Sequence, residues 1–575
     1  MVDFLQAPPR LPDSWGSDRT LREALRFYLG NELFGHAEPE LARLGLVAAA
    51  PGTLELAKRA ESEPPRLIPY TTWGERIDDI VVSDAWLELG RLGVEAGVTA
   101  LPYENSIFGE RARLVWAGIL SLWGPSSALA SCPVAMTDGA ARTLLEHGGP
   151  NEISVVDRLT TRDHRRAWTS GQWMTETAGG SDVSGSGTVA VPDGDGWRLW
   201  GTKWFTSATT AEVALTLARP QHGPAGARGL SLFLVHRRAP DGRSNSIFVR
   251  RLKDKLGTRA LPTAELELQG SFVTALGDPL DGAGVKRMST MLNITRIHNS
   301  LGASGALARG LSWARAYARV RKVGGASLQD LPAHRATLVD LAVDYAAALE
   351  LVLRCCELLG RVEAGTASTS DAALLRGLTP VTKLATGRWA IAGVTEAMEA
   401  VGGVGYCEDS TIPALVRNTH VIPIWEGTTN VLALDLMRAA MRSDALDAIV
   451  RDARASMEKA GDEPALMPAR RAAELALDEI ERRALHLHDD RERAEANARS
   501  LAMAVASTYA CARLIAQGAW ALPSGDGRTA ATALRLAERG LVPPEAPTAI
   551  DLAMDDGAGV SEPTTDEAGP VDQSA

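Results

Sequence analysis

The chain has 575 residues, 45% of them hydrophobic and 23% charged, with a formal net charge of −11 at pH 7. That is too long for one core and predicts roughly three or four domains, while the acidic balance argues against a general affinity for nucleic acid. No apolar run reaches the roughly 20 residues of a membrane span, and five scattered cysteines without a CxxC pair argue against a disulfide framework or a zinc site.

The N-terminus, MVDFLQAPPRLPDSW, lacks the basic start and apolar core of a signal peptide and the Arg/Ser-rich pattern of a transit peptide. A cytoplasmic location is expected. Residues 1 to about 70 are rich in Pro and Arg, with short helical patches such as TLREALRFYLGNELF. From about 75 to 165 apolar residues recur at three and four, as in AWLELGRLGVEAGV and GERARLVWAGILSLW, and predict helices. Between about 170 and 275 the runs RLWGTKWFTS, VALTLAR, GLSLFLVHR and AELELQG are short and alternating or β-branched. Turn residues separate them, notably PDGDG at 192–196, and a β domain is expected.

Helical periodicity returns from about 285 to 445, in LGASGALARGLSWARAYARVR and LVDLAVDYAAALELVLRCCELLG, with room for four helices of bundle length. It continues from 446 to about 540. The last residues, ending DDGAGVSEPTTDEAGPVDQSA, hold almost no large apolar side chains and are predicted to be disordered. The expected fold is mainly α with a central β domain. Its divisions are 1–165, 166–280, 281–445, 446–540 and 541–575.

Four stretches carry candidate chemistry. In WMTETAGGSDVSGSG, residues 173–187, small side chains leave the backbone N–H groups of Gly179, Gly180 and Ser181 open to an anion. The hydroxyls of Thr175 and Ser181 add donors that suit a pyrophosphate or a flavin edge. Alone, the stretch reads as a turn, and it is neither a P-loop nor a dinucleotide fingerprint. In GTKWFTS, 201–207, Trp204 and Phe205 point to opposite faces of a strand, so one of them can cover a ring. Alone, both read as core. AVGGVGY, 400–406, permits close backbone approach, or is simply a helix C-cap and loop. In IWEGTTN, 424–430, Glu426 follows an apolar run. It is either a surface glutamate opening a helix or a general base desolvated by its neighbours.

Taken in order, TE-x-x-x-GSD leading into a β domain, GxKWFxS, a helical bundle, GGxGY and IWEGTTN resemble the acyl-CoA dehydrogenase family over about residues 75–445. The resemblance implies an N-terminal helical domain, a middle β-barrel and a C-terminal four-helix bundle, here with an extra C-terminal helical region. It implies FAD held between the middle and C-terminal domains, partly by a neighbouring subunit of a homotetramer (a dimer of dimers). Glu426 matches the base that takes the α-proton of an acyl-CoA thioester, while the β-hydrogen leaves as hydride to flavin N5 and yields a 2-enoyl-CoA. Electrons then pass to an electron-transfer flavoprotein. By the same resemblance Met174, Thr175, Gly180 and Ser181 contact the flavin and pyrophosphate, Phe205 flanks the ring, and Ser207 donates near N5. Arg321 reaches the neighbour's FAD, Gly402, Gly403 and Gly405 follow its adenosine half, and Thr428 and Asn430 stand just past the base. Arg296 is a substrate-side candidate on the helix that lines the family's site, with His298 and Asn299 beside it.

There are departures. The family's RKxFG reads RKVGG here, with Gly324 in place of phenylalanine, and a glutamine farther on has no clear match, which leaves the adenine contacts open. Thr295 precedes Arg296 where some members keep their base, so no second base competes with Glu426. The long N-terminal segment with YTTWGERIDDIVVSDAW, CPVAMTDGAAR at 132–142, RLKDKLGTRALPTAELEL and the region after 445 are similar to the AidB-like branch. That branch implies two alternatives to turnover: a DNA-associated flavoprotein of alkylation stress, or a protein that sequesters acyl-CoA. Residues 441–575 carry 15 Lys/Arg against 24 Asp/Glu, which disfavours DNA. Asp182 is expected to brace the flavin loop, Cys355 and Cys356 to be buried, and His486, His488, Asp489 and Asp490 to be solvated surface; no metal is expected.

Overall fold

The structure, a computed structural model, describes residues 6–239, 242–487 and 489–545. Helix α1 (Arg19–Ala49) starts where the Asp18 carboxylate accepts from Leu21 N at 2.9 Å, a side-chain N-cap. It bends at Gly30, which has φ 75, and continues through Pro39. The short helical patches expected here are therefore one long bent helix. Leu21, Leu25, Phe34, Leu41 and Leu44 are buried in the main core, and such packing carries a helix past residues that would end it in isolation. After α2 (Pro51–Ser62) comes a hairpin the sequence reading did not foresee, β1 (Arg66–Tyr70) antiparallel to β2 (Arg76–Val81). Most of its residues are exposed, so it carries no alternating apolar signal.

Helices α3 (Asp84–Glu95), α4 (Ala112–Trp123), α5 (Ser131–His147) and α6 (Pro150–Leu159) follow. Every residue of α4 is buried, which its largely apolar sequence allows, its one charge, Arg113, being paired with Asp138 and Glu363.

The β region holds β3 (Ser170–Trp173), β4 (Val189–Asp193), β5 (Gly196–Ser207), β6 (Val213–Pro220), β7 (Ser231–His236), β8 (Ile247–Leu252) and β9 (Thr263–Ala275). The order β6–β4–β5–β9–β7 closes on itself through β6–β7 pairing, with β3 parallel to β6 and β8 antiparallel to β9. Trp173, Leu199, Phe233, Leu266 and Val273 form its own core. On β5, the step from Lys203 to Thr206 faces only the step from Leu266 to Ala264 on β9. One extra residue thus sits at Trp204–Phe205, a β-bulge.

The bundle is α7 (Gly284–Val320), α8 (Pro332–Glu363) and α9 (Thr369–Val401), with short strands β10 (Lys322–Val323) and β11 (Ala326–Ser327) after α7. Ser368 and Asp371 form a capping box at the start of α9. The short helices α10 (Gly403–Tyr406) and α11 (Ile412–Thr419) lead into a turn, and α12 (Thr429–Arg442) is the fourth bundle helix. The chain continues in α13 (Ala445–Glu458), α14 (Met467–Leu485), α15 (Arg491–Ala521) and α16 (Arg528–Glu538). Among the described residues no helix is long and apolar enough to cross a membrane. The tail expected to be disordered lies, from residue 546, outside the described residues.

Candidate active site

Glu426 stands in the turn between α11 and α12 with φ 57, and Gly427 follows at φ 103. A left-handed glutamate is uncommon and persists only where its surroundings hold it. Here both flanking carbonyls are tied down: Arg296 Nε donates to Glu426 O at 3.2 Å, and Lys383 Nζ to Gly427 O at 2.5 Å. Arg296 is fixed in turn by Asp435 at 3.0 Å, whose other oxygen accepts from Arg376 at 2.6 Å. Burial pushes the Lys383 ammonium down to about 7, against the pull of Glu426. The Glu426 carboxylate accepts from Thr295 Oγ1 at 2.8 Å and faces Gln172 Nε2 at 3.3 Å. Beside it the Trp425 indole donates to Asn299 Oδ1.

Glu426 opens onto a cavity of about 1170 Å³, above the roughly 300–1,000 Å³ usual for one small ligand. The barrel lines it with Gln172, Met174, Thr175, Gly180, Ser181, Phe205 and Ser207, and α7 with Thr295, Arg296, His298 and Asn299; Thr428 adds to the wall. The sequence motifs thus meet at one place. Arg321 does not join them: it caps the end of α7, exposed, with Nη1 3.4 Å from Gln6. Gly402 (φ 72) caps α9, and a Cβ on Gly405 would meet Met398 O at 2.7 Å. That is the helix-end role the stretch suggests on its own. Asn430, in the first turn of α12, also lies off this wall.

The expectation that Trp204 and Phe205 are core is corrected. Phe205 is 55% exposed, on the cavity wall, and Trp204 is half-buried beneath Lys253 Nζ, 3.7 Å from its ring. The bulge also interrupts the period-two alternation that would set the two rings on opposite faces of the strand.

The residues fit a flavin dinucleotide. Thr175 and Ser181 bring hydroxyls to the cavity wall, and a Cβ on Gly180 would fall 2.6 Å from Thr175 Oγ1 and displace it. The loop is anchored by residues that sequence reasoning passed over. Lys203 Nζ pairs with the buried Glu176 at 2.7 Å, and Glu176 also accepts from Gly187 N and Thr188 Oγ1, both at 2.6 Å. Burial pushes the Glu176 carboxyl up, but Lys203 and these donors hold it below its usual value. Trp204 N donates to Thr175 O at 2.9 Å, which links the loop to the bulge. Asp182 accepts from Ser184 N at 2.8 Å, the bracing role expected of it.

His298 both lines the cavity and packs in the fold. Its Nε2 lies 2.8 Å from Asp138 Oδ2, and its ring stands edge-on to Trp116. Burial pushes the Asp138 carboxyl up, but the Arg113 guanidinium and the His298 contact together hold it well below its ordinary value. Cys355 and Cys356 are buried, as expected. Among the described residues no group of three His, Cys, Asp or Glu side chains could hold a metal ion. His486 and Asp489 pair on the surface, and His488 lies outside the described residues.

Three family models match: acyl-CoA dehydrogenase C-terminal domain over residues 282–441, acyl-CoA dehydrogenase middle domain over 171–271, and adaptive response protein AidB N-terminal domain over 7–165. The chain is 44% identical to acyl-CoA dehydrogenase family member 11 of Caenorhabditis elegans, over 76% of this chain and 72% of that one. It is 34% identical to the putative acyl-CoA dehydrogenase AidB of Escherichia coli, over 69% and 73%. Among solved structures, Caenorhabditis elegans ACDH-11 in complex with C11-CoA superimposes with a TM-score of 0.91 at 38% identity, covering 95% of this chain and 94% of that one.

Proposed function

We propose that this chain, which belongs to the acyl-CoA dehydrogenase family and to its AidB-like branch, oxidises an acyl-CoA thioester with Glu426 as its base. The family makes it an FAD-dependent oxidoreductase. The observation that carries the residue assignment is the convergence of Glu426, Thr295 and Gln172 with the flavin-loop residues on one cavity.

Glu426 removes the α-proton of the thioester. The acid is weak, so the base must be positioned and kept dry. Thr295 holds one carboxylate oxygen, the Arg296 and Lys383 contacts fix the turn, and the half-buried Trp425 lines the cavity beside the carboxylate. As charge shifts toward the thioester oxygen, the backbone N–H of Glu426 is assigned, by the family resemblance, as the protein donor to it. FAD, when bound along Met174, Thr175, Gly180, Ser181, Phe205 and Ser207, supplies the acceptor for the β-hydrogen and its electron pair. The proton ends on Glu426 and the C2–C3 double bond forms.

An electron-transfer flavoprotein is the proposed acceptor. A homotetramer is the proposed assembly, in which Arg321 serves a neighbour's cofactor. The relative solved with C11-CoA supports an acyl-CoA ligand here. The test is anaerobic titration of the yellow protein with an acyl-CoA series while the visible flavin band is followed. Bleaching by at least one chain length is expected. If FAD is bound and no thioester bleaches it, the assignment fails.

A further inference from the structure

The cavity does not end in apolar wall. From Thr295, beside Glu426, α7 runs 14 residues to Arg309, about 21 Å along the axis at 1.5 Å per residue. Leu301, Gly302 and Ala306 line the cavity on the way, with Leu120, Pro125 and Leu129 among the residues that complete the wall. A Cβ on Gly302 would meet nothing within 4 Å, so the passage is open there. At Arg309 the lining becomes cationic.

Four arginines are buried among the described residues. Arg113 pairs with Asp138 and Glu363, Arg354 with Glu357 and Asp452, and Arg513 stands 4.0 Å from Glu350. Arg309, 8% exposed, differs. Its one hydrogen bond among the described residues runs from Nη2 to Ser126 Oγ at 2.7 Å, and no carboxylate there comes within 4.0 Å of it. Burial alone pushes it down to about 10.

A small adjoining cavity of about 70 Å³ is also lined by Arg309, together with Ser121 and Asp18. The Ser121 hydroxyl is buried and without a partner. Asp18 is already engaged by Tyr345 and Leu21 N. A buried cation without a counter-charge is costly, and this one faces the cavity that Glu426 opens onto.

Resting on the proposed dehydrogenase reading, we infer that Arg309 is a specificity-determining residue. It receives an anionic group at the far end of the acyl chain, and the substrate class is the mono-CoA thioester of a long dicarboxylic acid. A helical side chain leans toward the N-terminus of its helix, which shortens the span to roughly 15 Å. An extended chain advances about 1.2 Å per bond, so the acyl part is on the order of a dozen carbons.

The experiment compares the tetradecanoyl thioester with the mono-CoA thioester of tetradecanedioic acid. Binding to the FAD-loaded Glu426→Gln protein is measured by calorimetry, and flavin bleaching is followed in the unaltered protein. The dicarboxylic thioester is expected to bind at least about tenfold tighter, as one charge-assisted contact allows. Introducing Arg309→Met is expected to remove that preference and leave the tetradecanoyl affinity unchanged or improved, while Arg309→Lys keeps part of it. Equal or weaker binding of the dicarboxylic thioester overturns the inference, and this comparison does not depend on either Arg309 variant folding. If the preference is found in binding but neither thioester bleaches flavin, the dehydrogenase reading fails and the end-group assignment stands.

Discussion

Lys383 shows how one residue beside Glu426 links stability to pH. Its ordinary value is 10.5, and burial brings it to about 7 in the folded chain. Between those values the unfolded chain binds more protons than the folded one, so this residue makes stability rise with pH from about 7 toward 10.5. Replacing it, Lys383→Met, should flatten that rise, read as the apparent melting temperature at several pH values from about 7 up toward 10.5. The Gly427 carbonyl, on a half-buried residue, then lacks its partner, a loss of about 1 kcal/mol. An unchanged slope would mean that Lys383 keeps its proton in the fold. For Glu426→Gln, the amide oxygen still accepts from Thr295 but cannot take a proton. We expect turnover to fall by at least about 100-fold with FAD content preserved; undiminished turnover on a good substrate would dismiss Glu426 as base. Glu426 and the flavin-loop residues were legible because each lies in a contiguous run with its own chemistry. Thr295 and Gln172 were not, because they lie 131 and 254 positions from Glu426 and only the fold brings them together.

The element that orders the loop proposed to hold the flavin is the bulged strand β5 with the loop before it. Lys203 on β5 is fully buried and its ammonium sits on Glu176, which gathers the loop through Gly187 and Thr188. Removing one partner of such a pair strands the other charge, at a cost of about 3–5 kcal/mol. Lys203→Met should therefore lower the melting temperature and, at temperatures where the protein stays folded, release FAD, read as the flavin-to-protein absorbance ratio after gel filtration. Full retention of FAD would show that the loop keeps its shape without the pair. Both residues lie inside the quoted motifs, TETAGGSD and GTKWFTS, yet their pairing was not read. A sequence prices a lysine and a glutamate as surface groups, and only the fold brings the loop residue Glu176 onto Lys203 in the dry interior. The bulge at Trp204–Phe205 was illegible for a related reason, since an inserted residue alters pairing without altering composition.

At the scale of the whole molecule, the helices after residue 445 are part of the core. Arg513 on α15 donates to Tyr28 on α1, and Arg354 on α8 reaches Asp452 on α13. Leu501, Tyr509, Leu514 and Ile515 are buried in the same cluster as the bundle. The long helices were legible from periodicity, but their burial against α1 and α8 was not, because the partner residues lie from 98 to 485 positions apart. This embedding bears on the DNA reading of the AidB-like branch. Of the basic residues that could form a stripe, Arg470, Arg471, Arg482 and Arg483, three are engaged by Glu474 and Glu479, and the exposed Arg471 has no carboxylate partner among the described residues. Phosphate binding draws its affinity from Lys and Arg that neutralise phosphates, and here all but Arg471 would first have to leave a carboxylate. The region from 441 onward is acidic as well, with 15 basic residues against 24 acidic ones. We therefore expect fluorescence anisotropy with a labelled duplex, in near-physiological salt, to give no binding tighter than about 1 μM, the tight edge of the ordinary non-specific range. Sub-micromolar binding that weakens steeply with salt would place a basic surface on the assembled protein that the single chain does not present, and would put the DNA-associated role ahead of thioester oxidation.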